Sequence, residues 1–247
     1  VQESMVKVFY QPIIATKDNR IVAAEALMRI EDERLGMISP GEFIPAAEMA
    51  GLISPLTEIM VRKVCSLLTR YAKQVALISH ISINISAEDL HSTDFSRRIL
   101  DVIEHSGADA RKISFEVTES ILLTPSDSVE KNWKAITDKG IRFLLDDFGT
   151  GYSNLETLVS KPFDIVKLDR SVVSNATNRY ELLALITGML THLKKGMVAE
   201  GVETVEQLEV VKQVGIQLVQ GYYFSRPVPE EQFLSWLSGT MFIIPQA

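Results

Sequence analysis

Cysteine is nearly absent from this sequence, in which Cys65 is the only one among 247 residues. An internal disulfide is therefore impossible, and we expect the chain to belong to a reducing compartment, the cytoplasm. Because Cys65 falls on the apolar face of a helical pattern, we interpret it as a core residue.

Basic charge is also scarce, since 25 Lys and Arg residues stand against 32 Asp and Glu residues and the formal net charge is −7. Surfaces that hold duplex nucleic acid are normally basic, so this composition argues against duplex binding. It is compatible with a small anionic ligand, because bound metal ions can invert the electrostatic field of an acidic pocket.

Long apolar runs and linkers are missing as well. The most apolar stretch, residues 182–193, is interrupted by Thr187, Gly188, Thr191 and His192, and it is shorter than the roughly 18 residues that a transmembrane helix needs. We therefore expect no membrane segment in the chain. With no Gly/Ser linker or low-complexity tract, residues 1–247 are expected to form a single domain. The first residue is Val1 rather than methionine, so we expect either a piece of a longer protein or a processed chain.

The sequence does contain a regular alternation of strand and helix patterns. Short runs rich in β-branched residues predict strands at 7–13, 21–27, 80–85, 113–117, 141–146, 163–168, 196–200 and 216–224. Amphipathic patterns predict helices at 55–71, 126–139, 181–193 and 204–214, the last opened by the capping box of Thr204 and Gln207.

This alternation predicts an α/β fold with parallel strands and helical crossovers. Eight strands in a chain of this length fit a (β/α)8 barrel better than an open doubly wound sheet. The first two runs are separated only by a short turn at 16–19, which suits a hairpin. One strand is therefore expected to run antiparallel to the others.

Polar side chains recur at the ends of the predicted strands. They are Glu25, Asn84, Glu116, Asp146, Asp147, Lys167, Glu200 and Gln220. In a barrel the carboxyl ends of the strands converge on one mouth, where catalytic groups normally lie.

Several carboxylates in one cleft repel one another, and some must bind protons unless a cation neutralises them. Carboxylate and amide oxygens select a hard ion such as Mg²⁺ or Mn²⁺. The four histidines are scattered and predict no zinc site; we expect surface or core positions for His80, His91, His105 and His192.

Each of these residues has a simpler interpretation when it is taken alone. A single acid at a strand end could cap the following helix, and Asp146 with Asp147 could form a solvated turn before Gly149. Lys167 and Asp169 could form a structural salt bridge. The repetition of the same feature at six strands favours a metal site.

The motifs, in their order, resemble those of the EAL phosphodiesterases, which degrade the bacterial second messenger cyclic di-GMP. The signature corresponds to Glu25-Ala26-Leu27-x-Arg29. The similarity extends from Tyr10 to Pro227, and its further motifs lie at 82–86, 115–120, 146–153, 167–169, 199–203 and 220–227.

The resemblance implies a modified TIM barrel, a (β/α)8 barrel with one antiparallel strand, and specific roles for residues. It implies one or two Mg²⁺ or Mn²⁺ ions held by Glu25, Asn84, Glu116, Asp146, Asp147 and Glu200. Lys167, Glu200 and Gln220 would be catalytic, with Lys167 orienting the attacking water. Substrate contacts would come from Gln11, Leu27 and Arg29.

The resemblance also implies partners. The product would be the linear 5′-phosphorylated dinucleotide, pGpG, and the domain would form a homodimer. Glu119 would anchor the loop 148–155, which couples the site to dimerisation in this family. Sensory or GGDEF domains would complete the full-length protein.

Two other functions remain open at this level. The first is a receptor that binds cyclic di-GMP without cutting it. The second is an enolase-like barrel, in which acids hold Mg²⁺ and a lysine abstracts a carbon-bound proton. The second accounts for the acids and Lys167 but gives no reason for the ordered set of motifs.

Overall fold

The computed structural model describes residues 2–122, 126–150, 158–159, 161–174 and 180–238. Its strands are β1 (Val6–Ala15), β2 (Ile21–Asp32), β3 (Gly36–Ile38), β4 (Ile81–Asn84), β5 (Ile113–Thr118), β6 (Arg142–Phe148), β7 (Ile165–Leu168), β8 (Gly196–Ala199), β9 (Leu218–Val219) and β10 (Val228–Pro229). Its α-helices are α1 (Pro40–Met49), α2 (Ile53–Arg70), α3 (Ala72–Val75), α4 (Ala87–His91), α5 (Phe95–Ser106), α6 (Asp127–Thr137), α7 (Arg170–Ser174), α8 (Tyr180–His192), α9 (Val205–Gln213) and α10 (Glu230–Ser238).

Eight of these strands close a barrel in the order β1-β2-β4-β5-β6-β7-β8-β9 and back to β1. β1 runs antiparallel to both of its barrel neighbours, β2 and β9, whereas the other neighbouring pairs of the barrel are parallel. The β1–β2 turn contains Asn19 at φ 56°, a left-handed conformation that asparagine tolerates. The modified barrel with one antiparallel strand is confirmed.

The outward side chains of the strands pack under the helices to form the main core. α2 contributes Leu56, Met60 and Val64, and Cys65 beside them is fully buried, as expected. Further along the barrel wall, Phe143 of β6 stacks on Trp133 of α6 with ring centroids 3.8 Å apart. The side chains that point outward from the barrel are therefore dry and tightly covered.

The interior of the barrel contains a smaller, separate apolar cluster formed by Ile13, Ala23 and Val198. Side chains two residues apart on a strand point to the same face. Two residues away from this cluster on the same strands lie the polar residues Gln11, Glu25 and Glu200. The cluster therefore forms an apolar floor beneath the polar mouth.

Some sequence predictions need correction. The run 216–224 was expected to be a strand, but only Leu218–Val219 pairs, because the carbonyl of Gly221 accepts the amides of Phe224 and Ser225 in a turn. Helices α1 and α5 were not predicted. α1 contains Pro45, and α5 buries only Phe95, Ile99 and Ile103, a short stripe that ends at Gly107 with φ 72°.

One further prediction is confirmed. The Thr204–Gln207 capping box opens α9. In the described part of the chain, no helix combines the length and the apolar character needed to cross a membrane.

Candidate active site

The ammonium of Lys167 is the centre of the barrel mouth. Its Nζ lies 2.6 Å from Glu116 Oε2, 2.8 Å from Glu200 Oε1, 3.2 Å from Asp146 Oδ1 and 3.3 Å from Glu25 Oε2. The four acids belong to, or directly follow, four different strands, and Lys167 itself is 1% exposed. The structure therefore brings together residues that are up to 175 positions apart in the sequence, from 25 to 200.

A bulge in β6 explains how two consecutive aspartates can serve one site. Neighbouring residues of a regular strand point to opposite faces. Between Leu145 and Phe148, however, β6 contains one residue more than β7, and Asp147 has φ 56°. A bulge of this kind bends the strand and redirects side chains. Asp146 and Asp147 can thus offer oxygens to the same point.

A hydrogen-bond chain positions Glu25, the acid of the signature. Gln220 Nε2 donates to Glu25 Oε2 at 2.7 Å and to Gln11 Oε1 at 3.0 Å, and Asn84 Nδ2 donates to Glu25 Oε1 at 2.7 Å. Gln11 donates in turn to the carbonyl of Ser225. Both oxygens of Glu25 therefore accept a hydrogen bond, and the carboxylate has one fixed orientation.

The turn after β9 brings Gln220 into this chain because Gly221 approaches another backbone segment very closely. A Cβ atom at Gly221 would lie 2.1 Å from the carbonyl oxygen and 2.4 Å from the amide nitrogen of Val202. Only glycine fits this approach.

The pKa values of the acids diverge although their side chains are neighbours. Burial raises the pKa of Glu25, but Lys167 and the donors Gln220 and Asn84 outweigh it, so this pKa lies below its usual value. Burial and the charge of Glu25 raise the pKa of Glu116 well above its usual range, and Lys167 offsets only part of this rise.

The same competition acts on the remaining charged groups. Burial raises the pKa of Glu200 to about 8 despite the proximity of Lys167. The pKa of Asp147 is raised by burial and by Asp146. Burial lowers the pKa of Lys167, but the surrounding carboxylates, Asp146 first among them, raise it well above its usual value. One ammonium is therefore too little positive charge for all of the acids.

The acids fit a divalent metal ion. Asp146, Asp147 and Glu200 each offer an oxygen, and these oxygens lie within 4.8 Å of one another. Two buried oxygens at the mouth, Glu116 Oε1 and Gln220 Oε1, have no hydrogen-bond partner in the described part of the chain, and Asp146 Oδ1 has only its ion pair with Lys167 there. An all-oxygen donor set of this kind is suited to Mg²⁺ or Mn²⁺.

Two cavities lie next to the signature segment, and Leu27 lines both. One of about 360 Å³ also contains Asn84, Arg29 and apolar side chains of α1, including Phe43. The other, of about 220 Å³, contains Gln11, Glu25, Glu200 and Gln220. Gln11 and Leu27 therefore border the cavity that contains two of the acids, whereas Arg29 borders the neighbouring cavity, which Asn84 also lines.

Sequence reasoning missed some residues of these cavities. Arg170 and Glu203 line the smaller cavity and form an ion pair at 3.0 Å. Arg170 directly follows Lys167-x-Asp169, which is the signal that could have identified it. Phe43 was missed because α1 was not predicted.

Two further predictions have different outcomes. Glu119 lies in a short 3-10 turn after β5, but most of the loop it was expected to anchor, from 151 to 157, lies outside the described residues. Of the histidines, His80 is buried, whereas His91, His105 and His192 are exposed.

The chain matches the family model described as EAL domain over residues 1–227. The oxygen sensor protein DosP of Escherichia coli K12 is 33% identical over 244 residues, which are 98% of this chain and 30% of DosP. The probable cyclic di-GMP phosphodiesterase PdeB of the same organism is 37% identical over 229 residues, which are 93% of this chain and 44% of PdeB. The chain thus spans less than half the length of these relatives.

Solved structures give the same result. The PaMucR phosphodiesterase in complex with c-di-GMP is 28% identical, with a TM-score of 0.86, 93% of this chain and 94% of that chain being covered. The EAL domain protein of Listeria monocytogenes EGD-e is 27% identical, with a TM-score of 0.83 and coverage of 95% and 93%.

Proposed function

The chain belongs to the EAL domain family, and we propose that it hydrolyses one phosphodiester of cyclic di-GMP to give linear pGpG in a metal-dependent reaction. The observation that carries this proposal is the ring of acids around Lys167 at the barrel mouth. Relatives whose names state cyclic di-GMP phosphodiesterase activity support the choice of substrate.

We assign the metal ligands as Glu25, Asn84, Glu116, Asp146, Asp147 and Glu200, which would hold one or two Mg²⁺ or Mn²⁺ ions. A bound divalent ion supplies Lewis-acid charge, which lowers the pKa of a coordinated water and stabilises negative charge on phosphate oxygens.

In the proposed reaction, the oxygen of a water molecule attacks phosphorus and the bond from phosphorus to the sugar 3′-oxygen breaks. The product keeps the phosphate on the 5′-oxygen, and the leaving 3′-oxygen takes up a proton. Lys167 orients the water through its ammonium. Glu200, 2.8 Å from that ammonium, is placed to accept a proton. Gln220 holds Glu25 in position and assists beside it.

Substrate binding is assigned to the residues that border the two cavities. Gln11, Leu27 and Arg29 would contact the dinucleotide. The guanidinium of Arg29 is half-buried and lies 5.8 Å from the centre of the Phe9 ring, so its orientation is restrained before a phosphate arrives.

The experiment is incubation of the protein with cyclic di-GMP and either Mg²⁺ or Mn²⁺, followed by chromatography. We expect linear pGpG with each metal, none in excess EDTA, and a strong loss in the Glu200→Gln variant. If the protein retained the dinucleotide but released no linear product with either metal, the family member would be a receptor and the proposal would be wrong.

We further propose that residues 1–247 act as one catalytic domain of a longer cytoplasmic signalling protein with sensory or GGDEF domains, and that this protein functions as a homodimer. The support is that DosP, named an oxygen sensor, is more than three times as long as its matched region. Native mass spectrometry of this chain tests the dimer, and a monomer at all concentrations would contradict it.

A further inference from the structure

Some of the acids that contact Lys167 are also the acids that are suited to a metal ion. Of the three acids whose oxygens lie within 4.8 Å of one another, Asp146 and Glu200 also contact the ammonium, at 3.2 and 2.8 Å. Asp147, the third, has no ion pair with Lys167 among the described contacts. An ammonium and a divalent ion would therefore share two carboxylates.

Sharing has an electrostatic consequence. Cations that are held by the same carboxylates repel each other, and the repulsion is only weakly screened where solvent is excluded. Lys167 is 1% exposed, and the side chains of Asp146 and Glu200 are 13% and 16% exposed. The ammonium cannot swing away into solvent, because it lies among four acids at the centre of the barrel.

Neighbouring side chains limit any rearrangement that would relieve the repulsion between the ammonium and a metal ion. Glu25 is held by Gln220 and Asn84 as well as by Lys167. Glu116 is completely buried and Lys167 is its hydrogen-bond partner. The ammonium is thus held on one side by two acids that are also assigned as metal ligands, while its other two acids belong to the oxygen cluster that includes Asp147.

We propose that Lys167 sets the metal affinity of this site, its ammonium holding the ring of carboxylates together and at the same time weakening divalent metal binding. This inference rests on the proposed metal site and goes beyond the orientation of water. The affinity of oxygen sites for hard cations rises with the net negative charge of their ligands. When the ammonium charge is removed, the net charge of the site becomes more negative by one unit, although the carboxylates are the same.

The experiment compares Mn²⁺ binding to metal-stripped wild-type protein and variants by titration calorimetry, without nucleotide. Lys167→Met removes the charge at similar length, and Lys167→Arg keeps it. Lys161→Met is the matched control, because Lys161 is also largely buried but pairs with Glu130 and Trp133 on the outside of the barrel.

We expect Lys167→Met to bind Mn²⁺ at least about tenfold more tightly than wild type, because the charge that opposes the metal is gone. Lys167→Arg should remain within about threefold of wild type, since the charge is retained, and Lys161→Met should match wild type. Unchanged or weaker binding by Lys167→Met would overturn the proposal and show that the ammonium only orders the ligands.

Thermal unfolding provides a second readout. A metal that binds the folded state stabilises it more as its Kd falls. We therefore expect Lys167→Met to be less stable than wild type in EDTA and to gain more in melting temperature from Mn²⁺. An equal or smaller gain would contradict the proposal. Should this variant not fold in EDTA, competition between the Mn²⁺-loaded protein and a fluorescent chelator gives the same Kd comparison.

These measurements separate the inference from the proposed function. If the wild-type protein did not cleave cyclic di-GMP but Lys167→Met bound Mn²⁺ more tightly than wild type, the inference would be upheld and the proposed activity refuted. If wild type cleaved cyclic di-GMP and Lys167→Met bound Mn²⁺ with the same affinity as wild type, the proposed activity would be upheld and the inference refuted. Absence of Mn²⁺ binding to all variants would overturn both.

Discussion

At the mouth of the barrel, four acids contact the ammonium of Lys167, whereas at the base of the barrel a buried histidine, His80, lies near cationic side chains. His80 precedes β4, and its Nδ1 lies 2.9 Å from Ser79 Oγ and 3.2 Å from Arg142 Nη2. Lys112 nearby donates to backbone carbonyls, including that of Val75. The apolar cluster of Ile13, Ala23 and Val198 lies in the interior of the same barrel.

The two ends of the barrel are therefore different polar environments on one set of strands. At the base, backbone carbonyls and a neutral imidazole satisfy the cations, so no further ion is needed. At the mouth, the carboxylates outnumber Lys167 and several of their pKa values rise. A bound cation is therefore expected only at the carboxyl ends of the strands.

The strongest test of this contrast is loss of the lysine at the mouth. We expect Lys167→Met to lower kcat for cyclic di-GMP by about 10²–10³, as for other preorganised electrostatic groups. Steady-state kinetics at saturating Mn²⁺ measure it, with Lys161→Met as the control that should keep wild-type turnover. Near-native turnover of Lys167→Met would contradict the proposal that Lys167 orients the attacking water.

A second test concerns the backbone that delivers Gln220 to the mouth. Gly221→Ala would place a methyl group against the backbone of Val202, so we expect a loss of about 1–3 kcal/mol in unfolding free energy and reduced turnover. Gly188→Ala in α8 is the matched control. A Cβ there meets nothing within 4 Å, and a gain of about 0.5–1 kcal/mol is expected. Urea denaturation measures both, and equal effects would contradict the close approach.

The base can be tested by pH. Burial, with Arg142, Lys112 and Lys167, lowers the pKa of His80 to about 3. In the unfolded chain the imidazole of His80 binds a proton near pH 6.5. The stability contributed by neutral His80 is therefore fully present above that pH and is lost as the pH falls towards about 3. Between pH 6.5 and pH 5 this loss is about 1–2 kcal/mol.

We expect His80→Gln to flatten this acid-side loss in urea denaturation series. Its turnover at pH 8 should stay within about threefold of wild type, a small fraction of the loss expected for a group in the site. A pH dependence unchanged by the substitution would mean that other groups cause it. A large loss of turnover would mean that base and mouth are coupled.

The smallest effect is expected at Ser114, whose hydroxyl is buried without a hydrogen-bond partner in the described residues. Ser114→Ala removes an unsatisfied polar group, so the unfolding free energy should change by less than about 1 kcal/mol or rise slightly. Thermal and urea unfolding measure the change. A loss above about 2 kcal/mol would indicate that the hydroxyl does have a partner, such as an internal water.

Much of the architecture could be predicted because its signals are local. β-branched runs separated by amphipathic patterns predicted the barrel, and the four-residue turn at 16–19 predicted the antiparallel β1. The bounds failed where tertiary contacts decide them. Residues 220–224 have strand-like composition, but the close packing of Gly221 on Val202 forces a turn.

The residues of the candidate site could be predicted from the sequence, but their hydrogen bonds and ion pairs could not. Strand-end positions identified Glu25, Glu116, Asp146 and Glu200, because barrel topology brings all strand ends to one mouth. Their different protonation follows from neighbours that are distant in the sequence. Glu25 receives two amide donors, whereas among the described residues Glu116 has a hydrogen bond only from Lys167, through one of its two oxygens.

The amino-acid sequence was enough to predict the alternation of elements and the acidic strand ends, because both depend on residue types at short, regular spacing. The family was predicted from the resemblance of motifs that extend along most of the chain. Tertiary structure was needed to show that Lys167 contacts four acids, that a bulge brings Asp146 and Asp147 to one side, and that the buried His80 lies at the opposite end of the barrel. These features depend on barrel closure, which joins residues through space and gives them a shared, poorly solvated electrostatic environment.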